Sequence, residues 1–267
     1  MSQAAKNYLK KQITSVYKLF NRNAYKEAIF RVFMYHSVSH SNNEAKNNMY
    51  ILNSKRFIEQ IEYLKNYSTN HIFPLKNIFS SKSKMSFAFT FDDGYKDNLS
   101  IVAPLMKKLD IPFTIFITTD YIQSNDRKYL TPNDIKELSH DFDVEIGSHT
   151  KSHPRLTTCN TKEARKELIY SKKWIVDLIG KEVDTFSYPY GDVDHRIREL
   201  VSDAGYKIAR TSLFSYCSFS QDRLLLNSME IWNSDSLIDF VNKIDGHWDW
   251  LRWTKIIKLS YLNIQNQ

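Results

Sequence analysis

The sequence predicts an α/β domain built from parallel βα units. Three observations carry that prediction. From Phe30 onward, short apolar runs alternate with longer stretches of helical periodicity, the pattern of strands joined by crossover helices. At 267 residues and 42% hydrophobic content, the chain can bury a substantial single core. Several of the apolar runs end in residues able to do chemistry, as the C-terminal ends of strands do in such architectures. Periodicity does not decide between an open sheet and a barrel.

The expected strands are 30–35, 86–91, 112–118, 143–146, 185–188 and 206–210, each a short apolar run. The clearest is SFAFTF, where Phe87, Phe89 and Phe91 alternate with Ala88 and Thr90. Helices are expected at 54–66, 98–109, 131–139, 161–179, 194–204 and 235–244. Ser54, Asn98, Thr131, Thr161 and Asp194 are read as caps at the first five starts. Ahead of the strands, residues 6–20 set Leu9, Ile13, Val16, Tyr17 and Phe20 at helical spacing among lysines. This reads as a surface helix, with a basic membrane-surface helix as the sharper alternative. With no internal repeat and no low-complexity linker, the organisation is an N-terminal extension (1–29), one domain (30–246) and an aromatic, basic tail (247–267).

Composition narrows the function classes. Aromatic content of 14% argues against disorder. The net charge of +7 is spread along the chain without a continuous Lys/Arg block, so a nucleic-acid partner is not expected. Cys159 and Cys217 form no metal or disulfide framework. Lysines and Arg22 interrupt every apolar run in the first thirty residues, and no run reaches membrane-spanning length. The expected location is therefore cytoplasmic, at most peripheral to the inner face of the membrane.

Three segments carry chemistry. The strand SFAFTF ends in Asp92, Asp93 and Gly94. Adjacent acids at a strand end can divide the work of holding a metal and moving a proton, although Asp-Asp-Gly is also an ordinary turn. EIGSHTKSHPRL supplies His149 and His153, four residues apart. A helical turn would put both imidazoles on one face, as chelation requires, whereas two loop histidines are the plainer reading. In FSYPYG, Pro189 and Gly191 fix a tight turn able to aim a backbone N–H at a developing oxyanion.

Taken together and in this order, TFDDG, HTKSHPRL and YPYG resemble the first three motifs of the polysaccharide deacetylase family, the group of the NodB-type chitooligosaccharide deacetylases. VFMYHSV (residues 32–38), followed by RFIEQIEYL, resembles the subgroup that opens on a Tyr-His strand. The resemblance covers roughly residues 30–245 and implies a distorted (β/α)7 barrel with a mononuclear site. It implies Asp93, His149 and His153 as ligands of a divalent metal, usually Zn2+, with Asp92 as general base. The Tyr190 backbone N–H is assigned to the oxyanion, and His36 is the candidate for the acid that protonates the departing amine.

Two features depart from the family pattern. No Leu-x-His motif lies near the C-terminus, which leaves His36, or more weakly His247, as the acid. Ser187 occupies the position, two before the proline, where relatives often carry an arginine that orients the base; no fourth motif is recognisable, with Asn227 or Arg223 near its expected place. The tail, with Trp248, Trp250, Trp253, Ile256, Ile257 and Leu259 among basic residues, is read as a helix over the barrel or as a membrane-interface anchor. The expected partner is an N-acetylated glycan or its sugar precursor. A non-catalytic carbohydrate-binding protein and a two-His-one-carboxylate Fe(II) oxygenase remain as rival readings.

Overall fold

Two phenylalanine-rich segments form the seam of the fold. In the computed structural model, which describes residues 3–20, 25, 27–68, 71–142 and 144–252, β1 (Ile29–Tyr35) runs parallel to β4 (Met85–Phe91) from Ile29↔Met85 to Tyr35↔Phe91. Around that seam the sheet continues through β5 (Thr114–Ile117), β6 (Glu145–Ser148), β7 (Thr185–Ser187) and β8 (Ile208–Arg210), and on the other side through β10 (Met229–Glu230). Every one of these neighbours is parallel. Leu226 bridges Arg210 of β8, and three residues later Met229 pairs with Phe33 of β1. One irregular segment thus closes the ring, and the seven-stranded barrel is distorted there. The short antiparallel β9 (Cys217–Ser218) crosses the start of β1.

Strand parity sorts the side chains. Phe33, Tyr35, Phe87, Phe89, Phe91, Ile115, Ile117, Ile146 and Phe186 belong to the large core between strands and helices. Their alternates Phe30, Val32, Ala88, Phe116 and Ile208 form a second cluster inside the barrel, closed by Leu75 and Ile78. Burial on both faces explains why these strands read as continuous apolar runs.

The helices are α3 (Ser54–Ser68), α4 (Ala103–Lys108), α6 (Pro132–His140), α7 (Thr161–Ile179), α8 (His195–Asp203) and α9 (Leu237–Ile244), after an N-terminal α1 (Gln3–Phe20). Thr131 and Asp194 cap as expected, accepting from Asp134 N and Ile197 N. The cap of α7 is Asn160 rather than Thr161, because Asn160 and Glu163 exchange side chain-to-backbone bonds reciprocally. Asn98 is not a cap either. It begins a π turn (Asn98–Val102) ahead of α4, and its amide donates to the carbonyl of His36 (3.1 Å). Local polarity hid α2 (Asn42–Asn47), α5 (Thr119–Gln123) and the small parallel pair β2 (Ser37–Ser39) and β3 (Ile51–Asn53).

Packing continues past residue 246, where the sequence reading drew a boundary. Trp248 and Leu251 join the large core, and Asp249 meets Arg31 in two parallel bonds of 3.0 and 3.2 Å. Arg31 lies fully buried on β1, with Tyr25, the Ile244 carbonyl and Met229 Sδ as its further partners. Asp249→Ala would strand a buried guanidinium, so urea unfolding is expected to show a loss of about 3–5 kcal/mol. A loss below about 1 kcal/mol would contradict this account of the pair. Of the tail residues named above, Trp253, Ile256, Ile257 and Leu259 lie outside the described residues.

Candidate active site

The parity that fills the barrel interior also builds the site. Beyond Ala88 and Thr90, the inner series of β4 reaches Asp92; beyond Val32 and Met34 that of β1 reaches His36. The series through Glu145 and Gly147 of β6 reaches His149, and that through Ile208 of β8 reaches Arg210. Four strands therefore deliver a histidine, an acid, a second histidine and an arginine to one rim.

At the end of β4, Asp92 N still donates to Tyr35 O (3.0 Å), holding the acid in the ladder. The next two residues turn left-handed, with φ of 73° at Asp93 and 78° at Gly94. That reversal keeps both carboxylates at one rim, each 3.8 Å from His149 Nε2, where a continuing strand would have sent them to opposite faces. Asp92 is buried, and Arg210 donates to its Oδ1. Burial pushes its carboxyl up, but Arg210, His149 and His36 outweigh that and hold it below the usual carboxylate range.

Oδ1 of Asp93 is buried and has no hydrogen-bond partner among the described residues. It lies 3.5 Å from His153 Nε2 and 3.8 Å from His149 Nε2, and the two imidazole nitrogens are 3.1 Å apart. Among the described residues, this is the group of three potential ligands whose atoms come within 4.8 Å of one another. His149 Nδ1 is 2.7 Å from the Ser187 carbonyl. A carbonyl needs a donor, so Nδ1 carries a proton, and Nε2 is the ring atom turned to the cluster. Burial, followed by the neighbouring His149, lowers His153 to about 4, which leaves it neutral at physiological pH. Two imidazole nitrogens and an unpartnered carboxylate oxygen, converging at these spacings, fit a divalent cation of the zinc type.

No helix brings the histidines together. Thr150 and His153 are both left-handed (φ 70° and 61°), and His153 N donates to Thr150 Oγ1 (3.0 Å). A knotted loop achieves what the four-residue spacing suggested a helical turn would do. Its outer side is tied to α7 by Glu167, which accepts from Ser152 N and Oγ.

In the third segment Tyr190 is left-handed (φ 60°), and its ring packs edge-on against His153 at 4.7 Å. Gly191 follows, also at positive φ, and an added Cβ would sit 2.1 Å from Ser212 Oγ, so only glycine fits this turn. His36 packs on Tyr50, and its Nδ1 is buried without a partner among the described residues. His247 belongs elsewhere: its N–H donates to Asn242 O behind α9. Asn227 and Arg223 do not join the site; Asn227 bonds Tyr216 O, and Arg223 lies over Phe79.

Arg210 is the residue that the sequence reading missed. Ser187 and Arg210 are direct neighbours across the β7–β8 ladder. The arginine expected on β7 at Ser187 is thus replaced by one from the neighbouring strand, which reaches Asp92. Arg210 is 1% exposed and lies over Phe116, with Met34 Sδ 2.8 Å from Nη1. Its sequence signal was a lone arginine ending an otherwise apolar strand.

Comparison with known proteins points to a family and bears out the fold. A family model described as polysaccharide deacetylase matches residues 80–209. YxkH of Bacillus subtilis is 25% identical over 211 residues, covering 77% of this chain and 72% of that protein. Chitin deacetylase 1 of Cryptococcus neoformans is 27% identical over 129 residues, 48% of this chain, and the match spans only 26% of that longer protein. Among solved structures, the Streptococcus pyogenes deacetylase PplD, determined in complex with acetate, superposes with a TM-score of 0.74. That likeness covers 82% of this chain and 99% of PplD at 21% identity, and it bears out the fold.

Proposed function

We propose, on the likeness of residues 80–209 to the polysaccharide deacetylase family, that this chain is a metal-dependent hydrolase removing acetyl groups from an N-acetylated sugar. The substrate class is a cell-surface polysaccharide, an oligosaccharide or a precursor of one. The observation that carries this reading is the division of labour between adjacent acids. Asp93 faces the imidazoles of His149 and His153, while Arg210 holds an oxygen of Asp92.

Asp93, His149 and His153 would hold the cation, most suitably zinc. When bound, it supplies Lewis acidity, acidifying water and polarising the acetamide carbonyl. Asp92 takes the proton from the attacking water, its second oxygen being fixed by Arg210. The Tyr190 N–H, aimed by its left-handed backbone, donates to the oxyanion. His36, with an unpartnered ring nitrogen, protonates the departing amine. Around the opening, Tyr121 stacks on Tyr129 (4.6 Å), and Tyr190 is more than half exposed; such ring faces suit a pyranose.

The test is acetate release from N-acetylated oligosaccharides, with metal content measured on the same samples. Stripping the metal should abolish release, and zinc should restore it. His149→Ala is expected to lose the metal together with activity. Full activity after complete stripping would refute the reading. Metal binding without acetate release from any sugar would favour the non-catalytic binding protein, and oxygen consumption dependent on an oxoacid would favour the oxygenase.

A further inference from the structure

The His36 ring rests on Tyr50 at 4.7 Å, and its Nδ1 is buried without a partner among the described residues. With that nitrogen ungripped, the aim of the imidazole depends on the backbone that carries it. Two adjacent side chains clamp that backbone, and both come from the segment that follows Asp92 and Asp93. Asp97 Oδ1 accepts from Ser37 Oγ (2.8 Å), and its Oδ2 accepts from Val38 N (2.7 Å). The Asn98 amide donates to His36 O (3.1 Å) and to Asp97 Oδ2 (3.3 Å). Both of those partners are acceptors, so the amide nitrogen of Asn98 is the atom turned to them. Asn98 is fully buried. Ser37 N adds one further tie, to Tyr50 O at 3.2 Å.

These side chains would ordinarily serve their own helix. Asp97 stands just before the π turn and Asn98 opens it, where Asp and Asn commonly cap free N–H groups. The Asp97 side chain makes no such cap bond and reaches across to residues 37 and 38 instead. Widened turns of this kind recur at functional sites. One short stretch, residues 92–98, thus carries the base, a metal ligand and the support of the strand end that bears His36.

We propose that Asp97 and Asn98 are positioning residues that hold the His36 imidazole where the leaving amine is protonated. The inference rests on the deacetylase reading, with His36 as its acid. In that step the C–N bond breaks with its electron pair on nitrogen. The amine takes the His36 proton, and the acyl carbon keeps the water oxygen as acetate. A leaving group that is stable as an anion needs no such proton. An amide and an activated ester of acetate therefore separate His36-dependent hydrolysis from the rest of the site.

The experiment compares kcat and KM of the zinc-loaded protein on N-acetylated chitin oligosaccharides and on 4-nitrophenyl acetate, with metal content measured alongside. Asn98→Ala and Asp97→Ala are expected to lower kcat on the amide by about 10–100-fold with KM little changed. Their ester hydrolysis should fall by less than about threefold. Asp97→Asn can accept from Val38 N and donate to Ser37 Oγ, so it should restore most of the lost rate. Asn98→Ala/His36→Gln should be no slower on the amide than His36→Gln alone. Equal losses on amide and ester, loss of metal, or additive losses in the double variant would overturn the proposal. Full amide turnover in His36→Gln would overturn it too, by removing the acid. A further readout needs no turnover: the His36 imidazole resonances, identified with His36→Gln, should shift in Asn98→Ala while those of His149 and His153 stay. Unchanged His36 resonances would sink the clamp. If they shift and no N-acetylated sugar is hydrolysed, the clamp stands and the deacetylase reading falls.

Discussion

Asp92→Asn is expected to reduce acetate release by about 10²–10⁴-fold while leaving metal content at the wild-type level. The substitution preserves shape but removes the oxygen that can receive the water proton. Asp92 is absent from the three-ligand group, and its Oδ1 is taken by Arg210. The contrast with His149→Ala is therefore the informative one: that variant should lose metal and turnover together. If Asp92→Asn instead lost its metal, the division of labour between the two acids would be wrong. If it kept both metal and turnover, Asp92 would be a purely structural acid paired with Arg210.

Arg210→Met should harm both stability and turnover. Removing the guanidinium leaves the Asp92 carboxylate buried without its strongest partner, for an expected loss of about 3–5 kcal/mol in urea unfolding. Turnover should fall as well, because Asp92 would be free to rotate and its carboxyl would rise towards the protonated form. Combining Arg210→Met with Asp92→Asn separates these effects. With no buried charge left to strand, the double variant should be destabilised by clearly less than the sum of the single changes. Additive losses would show that Arg210 contributes by packing on Phe116 rather than through the acid.

Much of the chemistry was legible because parallel strands broadcast it. Each strand position is a short apolar run, and each ligand-bearing motif follows one directly. TFDDG, HTKSH and YPYG could thus be placed at strand ends before any coordinates. In the structure, the two-residue period brings Asp92 and His149 onto the series that faces the barrel interior. The loop that carries His153 was less legible: a four-residue spacing suggests a helical turn, whereas paired left-handed residues at Thr150 and His153 achieve the same convergence. Non-glycine residues at positive φ leave little trace in sequence, because the surrounding tertiary bonds hold them there.

The local pattern of residues determined the parallel α/β class and most strand and helix positions, since periodicity is a property of contiguous chain, and the resemblance of its strand-end motifs to the polysaccharide deacetylase family supplied the candidate ligands. Tertiary structure alone decided that the sheet closes through Leu226, that Trp248 and Asp249 belong to the core, and that the outward face of α1 is the apolar one. It also decided that Arg210 takes over for Ser187. The two residues are 23 positions apart in the chain yet adjacent across the β7–β8 ladder, and a buried carboxylate responds to the nearest cation in space, whichever strand supplies it.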